Sequence, residues 1–336
     1  MRVVDMHCDT VSVLLQKERE GKQEKLFQNN GHLDIKRMRE QAYLLQNFAL
    51  FVHTPDCIDA WEEVCALYEL YTEQMEENSA LMAPVLCYED IEKNESVGKI
   101  SALLTVEEGA VCKGKIDKLD KLYQMGVRML TLTWNFPNEL GYPNLNMAGA
   151  QPTEKNFSEI FFTPDVTHGL TEKGIEFVQE MERLGMIPDV SHLSDAGFYD
   201  VLTHTKKPFV ASHSNARAVC GCVRNMTDDM IRKLSERGGC MGLNFCADFL
   251  REVPFGEKNS GSIEDVVAHA KHIAKVGGVE VLGLGSDFDG IDTNEGLPGV
   301  QSMGRLWEAL HDGGFKASEV DKIFSENVLR VYRDTL

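Results

Sequence analysis

Short apolar segments recur along the whole chain and alternate with segments of helical periodicity. There are eight of them, and several are apolar at nearly every position, which is typical of parallel strands that are buried on both faces. We predict strands over residues 3–7, 47–52, 100–106, 128–134, 186–190, 209–212, 240–245 and 279–285. Strands that alternate with helices form a parallel sheet, and eight such units favour a closed (β/α)8 barrel of the TIM type.

The alternative to a barrel is an open, doubly wound sheet that binds a dinucleotide. In that fold a glycine-rich GxGxxG turn follows the first strand, whereas here the first strand runs into Asp5-Met6-His7-Cys8-Asp9. We therefore predict a single α/β barrel domain over residues 1–336.

The composition excludes several classes of partner. With 53 acidic and 34 basic residues the net charge is −19, which disfavours binding to nucleic acid or to an anionic membrane surface. We expect no membrane span, leader or lipid anchor, and hence a cytoplasmic protein. Nine cysteines at irregular spacing indicate reduced thiols rather than a disulfide framework. The sequence leaves open whether the protein forms a homodimer.

Metal-binding side chains stand at the carboxyl ends of several predicted strands. His7 and Asp9 are two residues apart, so that in strand geometry both side chains point to the same side. Glu107 ends the third strand, and His192 and His213 end the fifth and sixth. These strand ends form the catalytic face of a barrel, so we expect the five side chains to converge there.

Imidazole and carboxylate groups are ordinary zinc ligands, and five exceed what one catalytic zinc ion needs. Two ions that share Glu107 would use all five, with a bridging hydroxide as the nucleophile. Asp287, at the end of the eighth strand, would stay free as the acid/base that carries a proton from water to the leaving amine. A helix cap is the structural alternative for Asp287, and a hydrogen-bonded core imidazole is the alternative for each histidine.

Two long segments without periodicity follow predicted strands, at residues 135–167 and 246–261. Loops of this length in compact domains are usually functional. We expect the first loop to act as a lid that sets substrate choice, with its tip around residues 142–146. A lid that only shields the core, or a dimer contact, is the structural alternative.

Together these motifs resemble the renal (membrane) dipeptidase family of zinc metallopeptidases, which have an amidohydrolase-type barrel. The resemblance covers nearly the whole chain and rests on residues 5–9, 105–109, 128–133, 169–171, 189–192, 212–214, 224–225 and 285–290. It implies one zinc ion held by His7, Asp9 and Glu107. A second ion would be held by Glu107, His192 and His213.

The resemblance also implies which groups act on the substrate. Asp287 would be the acid/base, and Arg224 would bind the terminal carboxylate of a dipeptide bidentately. A surface salt bridge or a helix cap is the alternative for Arg224. Trp134 and Asn244 are expected to bind substrate. Trp134 stands where family members often carry histidine, and Cys246 stands where an aromatic residue is expected, so both positions depart from the family pattern.

These residues predict a zinc-dependent dipeptidase that acts on small dipeptides, and the family's tolerance of D-residues extends the prediction to Xaa–D-Xaa. Another binuclear amidohydrolase reaction, such as deacylation of N-acyl amino acids or lactone opening, is the first alternative. The second is a barrel that serves only as a binding scaffold. The scaffold is disfavoured because placing five polar groups together at the barrel mouth costs free energy, which a site without a ligand would not recover.

Overall fold

The computed structural model describes residues 1–149, 152–292 and 294–336. Within these residues the chain forms a parallel sheet with helices packed outside it. The strands are β1 Val3–Asp5, β2 Tyr43–Phe51, β3 Met82–Pro84, β4 Ile100–Glu107, β5 Val127–Thr131, β6 Ile187–Asp189, β7 Val210–Ala211, β8 Cys240–Leu243 and β9 Leu282–Leu284.

The helices follow the strands in alternation along most of the chain. They are α1 Thr10–Arg19, α2 Ile35–Glu40, α3 Ala60–Glu77, α4 Tyr88–Ser96, α5 Ile116–Gln124, α6 Phe157–Phe162, α7 Glu172–Leu184, α8 Asp195–His204, α9 Asp228–Glu236, α10 Ala247–Leu250, α11 Ile263–Gly277, α12 Met303–Asp312, α13 Ala317–Asp321 and α14 Asn327–Thr335. Among the described residues, no helix combines the length and the apolar character that crossing a membrane requires.

The sheet closes into a barrel because β2 pairs with β1 on one side and with β4 on the other. Around the ring the order is β1-β2-β4-β5-β6-β7-β8-β9, and β9 pairs back to β1. The predicted eight-stranded barrel is confirmed, and each predicted strand overlaps one strand of the ring. The short β3 pairs with the start of β4 outside the ring, and its three residues are too few to show a sequence pattern.

Several predicted segments differ in detail. The strands predicted over 3–7, 128–134 and 240–245 end two or three residues earlier, at Asp5, Thr131 and Leu243. The segment 279–285 begins as a 3₁₀ turn, Val279–Val281, and β9 starts only at Leu282. Asn327 holds this turn, since its Nδ2 donates to the carbonyls of Val279 and Leu282 at 2.8 Å each. The segments 135–167 and 246–261, both predicted to lack regular structure, contain the short helices α6 and α10.

The C-terminal helix covers the amino ends of the strands. Arg330 of α14 donates to the carbonyl oxygens of Gly239 and Glu280, which lie just before β8 and β9. Tyr332 is fully buried, and its hydroxyl donates to Asn47 Oδ1 of β2 at 2.9 Å. Because α14 covers this end, the polar side chains at the carboxyl ends of the strands lie at the opposite end of the barrel.

Candidate metal centre and active site

Glu107 lies at the centre of the five predicted metal ligands, all of which are buried. Its Oε2 atom is 3.2 Å from His7 Nε2, which is also 3.3 Å from Asp9 Oδ2. Its Oε1 atom is 3.0 Å from His192 Nε2 and 3.5 Å from His213 Nε2. The two oxygens of one carboxylate therefore face two separate groups of donors, as expected of a carboxylate that bridges two cations.

The free donor atoms of the site fit divalent cations. His192 Nδ1 is 2.8 Å from Asn135 Oδ1, and His213 Nδ1 is 2.7 Å from Ser212 Oγ, so each ring is held through Nδ1 and presents Nε2 to the site. The two Nε2 atoms are 3.0 Å apart, a spacing at which both can bind one zinc ion at about 2.0–2.1 Å. Asp9 Oδ1 is buried and has no hydrogen-bond partner among the described residues. A buried carboxylate oxygen without a donor is free to bind a cation.

Electrostatics keeps two of the histidines neutral. Burial lowers the pKa of His192 to about 4, and the positive charge of Arg224 acts in the same direction. Burial lowers the pKa of His213 to about 3, and His7 acts in the same direction. Both imidazoles are therefore unprotonated at pH 7, which is the form that binds metal.

Asp287 lies beside the predicted ligands. Its Oδ1 atom is 3.9 Å from His7 Nε2, and its Oδ2 atom accepts a hydrogen bond from Asn244 Nδ2 at 2.9 Å. Burial raises the pKa of Asp287 to about 7, opposed by His7 and reinforced by Asp9 and Glu107. A carboxyl group with such a pKa exchanges protons near neutral pH. One oxygen each of Asp287 and Asp9 lies within 4.8 Å of the other and of a His7 ring nitrogen, so a ligand role for Asp287 is the alternative.

Asn244, which was predicted to bind substrate, lies beneath Asp287. It is fully buried; besides the bond to Asp287, its Oδ1 atom accepts the N–H of Cys246 at 2.7 Å. Both ends of the amide are thus engaged within the protein. This geometry favours a role in orienting Asp287, and it does not favour direct contact with substrate.

Arg224 is a buried cation with few partners. It is 4% exposed, and one of its N–H groups donates to the carbonyl oxygen of His213 at 3.2 Å. Its Nε atom has no hydrogen-bond partner among the described residues. A surface salt bridge does not match a side chain so deeply buried. A buried guanidinium with an unused donor is available to bind an anion.

A cavity of about 520 Å³ opens over the predicted ligands. Phe51 of β2 and Trp134 after β5 form one wall, and Phe249 after β8 forms part of another. The Trp134 ring lies 5.1 Å from that of Phe51 and 6.0 Å from that of His192, measured between centroids. The structure thus places Trp134 at the cavity, next to a predicted metal ligand.

The long loop after β5 is anchored beside β6. Pro143 pairs with Leu193, and the N–H of Asn144 donates to the carbonyl oxygen of His192 at 2.9 Å. The predicted loop tip at residues 142–146 is therefore wrong, because residues 143–145 are buried and Asn144 is bonded to the backbone of a predicted ligand. Residues 150 and 151 of the loop lie outside the described residues.

Several residues that support the site were not singled out from the sequence. Asn135 contacts the ring of His192 and orients it. Ser212 contacts the ring of His213 and donates its hydroxyl to Asp189. Ser212 and Asp189 belong to the same strand-end motifs as the histidines, and this was the available signal. Asn135 carried no such signal, because an asparagine at the start of a loop is common.

Gly290 lies against two carboxylates of the site. A β-carbon at this position would lie 2.0 Å from Asp9 Oδ2 and 2.6 Å from Asp287 Oδ1. Gly290→Ala is therefore expected to displace Asp9 and to weaken binding of a divalent cation about tenfold or more, in line with other residues that position ligands. Calorimetric titration with Zn²⁺ measures this. Gly149→Ala is the control, since a β-carbon there would meet no atom within 4 Å among the described residues. Equal affinity in both variants would contradict the steric argument.

Comparisons with known proteins agree on one family. The sequence profile of the membrane dipeptidases, peptidase family M19, matches residues 1–335. An uncharacterized dipeptidase of Schizosaccharomyces pombe is 30% identical over 357 aligned positions, which cover 99% of this chain and 80% of that protein. The solved structure of dipeptidase AC, a metallopeptidase of family M19, has a TM-score of 0.87 and 27% identity, covering 100% of this chain and 98% of that chain.

A second solved structure was determined with a bound ligand. It is a metallopeptidase from Rhodobacter sphaeroides in complex with a phosphinate mimic of the dipeptide L-Ala-D-Ala. Its TM-score is 0.89 at 26% identity, and the match covers 100% of this chain and 99% of that chain.

Proposed function

This chain belongs to the membrane dipeptidase family and is a metallo-dipeptidase, and on that premise we propose that it cleaves small dipeptides with two zinc ions. One ion would bind to His7, Asp9 and Glu107, and the other to Glu107, His192 and His213. The observation that carries this proposal is the position of Glu107, whose two carboxylate oxygens face separate groups of nitrogen and oxygen donors.

The chemistry divides between the ions and the residues around them. When bound, two divalent ions would lower the pKa of a water molecule, so that it can attack at neutral pH, and would polarise the scissile carbonyl. Asp287 takes a proton from the attacking water and delivers it to the leaving amine. Asn244 orients Asp287 for both transfers through the hydrogen bond to its Oδ2 atom. Trp134 cannot transfer protons, because an indole N–H only donates a hydrogen bond.

The order of strands around the barrel indicates how a dipeptide lies in the cavity. The strands β2 and β5 flank β4, and they lead to Phe51 and Trp134 respectively. The strand β8 lies four strands away from β4, on the opposite side of the ring. Phe249 follows β8, and its ring centroid lies 5.2 Å from the Arg224 guanidinium carbon. With its carboxylate on Arg224, the substrate places its C-terminal residue on the β8 side. The amino-terminal residue then extends across the metal ligands towards Phe51 and Trp134.

We extend the proposal to dipeptides with a D-configured C-terminal residue. The support is the Rhodobacter sphaeroides metallopeptidase, which was solved with a mimic of L-Ala-D-Ala and which aligns with this chain over its full length. A phosphinate is tetrahedral at phosphorus and imitates the intermediate of peptide hydrolysis. Such analogues bind at the position of the reacting atoms.

The preference for a free C-terminal carboxylate tests the proposed substrate class. Wild-type protein is expected to cleave a dipeptide in strong preference to its C-terminal amide, and Arg224→Ala is expected to lose most of that preference. A charge-assisted hydrogen bond to the carboxylate contributes about 1.5–3 kcal/mol, which corresponds to a change of roughly 10–150-fold in kcat/KM.

The control for this test is Arg251→Ala, which removes a half-exposed arginine whose side chain lies 3.9 Å from Asp265 of α11. It should leave the preference for the free acid unchanged. Equal cleavage of acid and amide by the wild-type protein would contradict the carboxylate-binding role of Arg224.

A further inference from the structure

A fully buried carboxylate lies behind one of the predicted metal ligands. Asp189, at the end of β6, accepts four hydrogen bonds. Its Oδ1 atom accepts the N–H groups of Ser191 and Ser212 at 3.0 and 2.8 Å. Its Oδ2 atom accepts the hydroxyls of Thr131 and Ser212 at 2.7 and 2.6 Å. Four donors satisfy the carboxylate in its charged form, so a fixed negative charge lies beneath the site.

Ser212 connects this charge to His213. The hydroxyl hydrogen of Ser212 points to Asp189 Oδ2, so its oxygen is free to act only as an acceptor on the side of the ring. His213 Nδ1 lies 2.7 Å from that oxygen and must therefore be the donor. With the proton on Nδ1, the lone pair on Nε2 faces Glu107 Oε1 at 3.5 Å. The chain of hydrogen bonds thus sets both the tautomer and the direction of the ring.

The other histidine of the same predicted metal site is held differently. His192 Nδ1 lies 2.8 Å from Asn135 Oδ1, which is a neutral amide oxygen from the loop after β5. The two imidazoles therefore have unequal support, because only that of His213 is backed by a carboxylate.

A similar pair of residues shows what is special about Asp189. Asp5 accepts both the N–H and the hydroxyl of Ser286 at 2.9 and 2.6 Å, which ties β1 to β9. Ser286 is followed by Asp287, whereas Ser212 is followed by the histidine His213. Both pairs, Asp5 with Ser286 and Asp189 with Ser212, connect two neighbouring strand ends. In addition, Ser212 contacts a histidine ring.

We propose that Asp189 is a positioning residue for the metal site of His192 and His213, and that it acts through the hydroxyl of Ser212. The inference rests on the proposed binuclear site. A carboxylate behind the hydroxyl strengthens the hydrogen bond from Nδ1, makes Nε2 of His213 more basic and prevents the ring from turning. The ion bound there is held more tightly as a result.

Two substitutions separate this role from a purely structural one. Ser212→Ala and Thr131→Val each remove one buried hydroxyl from the same oxygen of Asp189, but only the first removes the partner of His213. Metal-free protein is titrated with Co²⁺, and both the affinity and the visible absorption spectrum are recorded. Ser212→Ala is expected to weaken one of the two ions by about 10–100-fold and to change the spectrum. Thr131→Val should match the wild type.

The outcomes distinguish this inference from the proposed function. Wild-type affinity and spectrum in Ser212→Ala would overturn the role of Ser212, and equal losses in both variants would show a structural effect instead. Asp189→Asn should reproduce the loss seen in Ser212→Ala, and its thermal unfolding shows whether it folds. If it does not fold, the comparison of Ser212 with Thr131 still decides. A wild-type protein that binds fewer than two ions would overturn the binuclear site itself.

Discussion

Replacing Asp287 with Asn is expected to lower kcat by about 10²–10⁴-fold, the usual contribution of a positioned acid/base, while both metal ions remain bound. The amide has the size of the carboxylate and keeps an oxygen that accepts the hydrogen bond from Asn244. It cannot take a proton from water or deliver one to the leaving amine. The measurement is kcat for a dipeptide, with elemental analysis of the same preparation.

The control for Asp287 is Asp292→Asn, which neutralises an exposed carboxylate at the rim of the same cavity. This variant should keep most of its kcat. A fall in metal content in Asp287→Asn would show instead that Asp287 is a ligand, which its position near His7 and Asp9 permits.

Removal of Glu107 is expected to abolish activity and to reduce the metal content from two ions per chain to one or fewer. Glu107 contributes one oxygen to each group of donors, so Glu107→Ala leaves two protein ligands for each ion. Catalytic zinc sites have three protein ligands, and two are too few for tight binding. Elemental analysis of protein purified without chelator measures the loss. A content near one ion that does not depend on Glu107 would falsify the bridged site.

The neighbouring residue provides a matched control. Glu108 is equally buried, but its carboxylate accepts hydrogen bonds from Ala110, Trp134 and Asn138 instead of facing the histidines. Comparing Glu107→Gln with Glu108→Gln therefore tests two adjacent carboxylates of equal size. Metal content should fall in the first variant and stay near two in the second.

The barrel and its polar end were predictable from local patterns. A short apolar run that is bounded by turn residues favours a buried strand, and a residue that follows such a strand lies at its carboxyl end. For this reason His7, Glu107, His192 and His213 could be predicted to converge before any contact among them was known.

The resemblance implied how the five ligands divide between two ions, but which oxygen of Glu107 faces which histidines required the tertiary structure. The sequence indicated a shared carboxylate, but the assignment of Oε2 to His7 and of Oε1 to the other two histidines depends on how β1, β4, β6 and β7 are arranged around the ring. The same holds for Asn244, whose amide is taken up by Asp287 from a neighbouring strand end.

Local patterns in the sequence suffice to place residues at the mouth of the barrel, whereas the contacts of each residue depend on the folded chain. Asn135 meets His192 across 57 residues of chain, and Thr131 meets Asp189 across 58. The difference arises from the distance along the chain over which each feature acts. The alternation of side chains along a strand is a property of the local backbone and shows in a few consecutive residues. A hydrogen bond between distant segments exists only once the closed sheet has brought them within about 3 Å, and no local pattern records it.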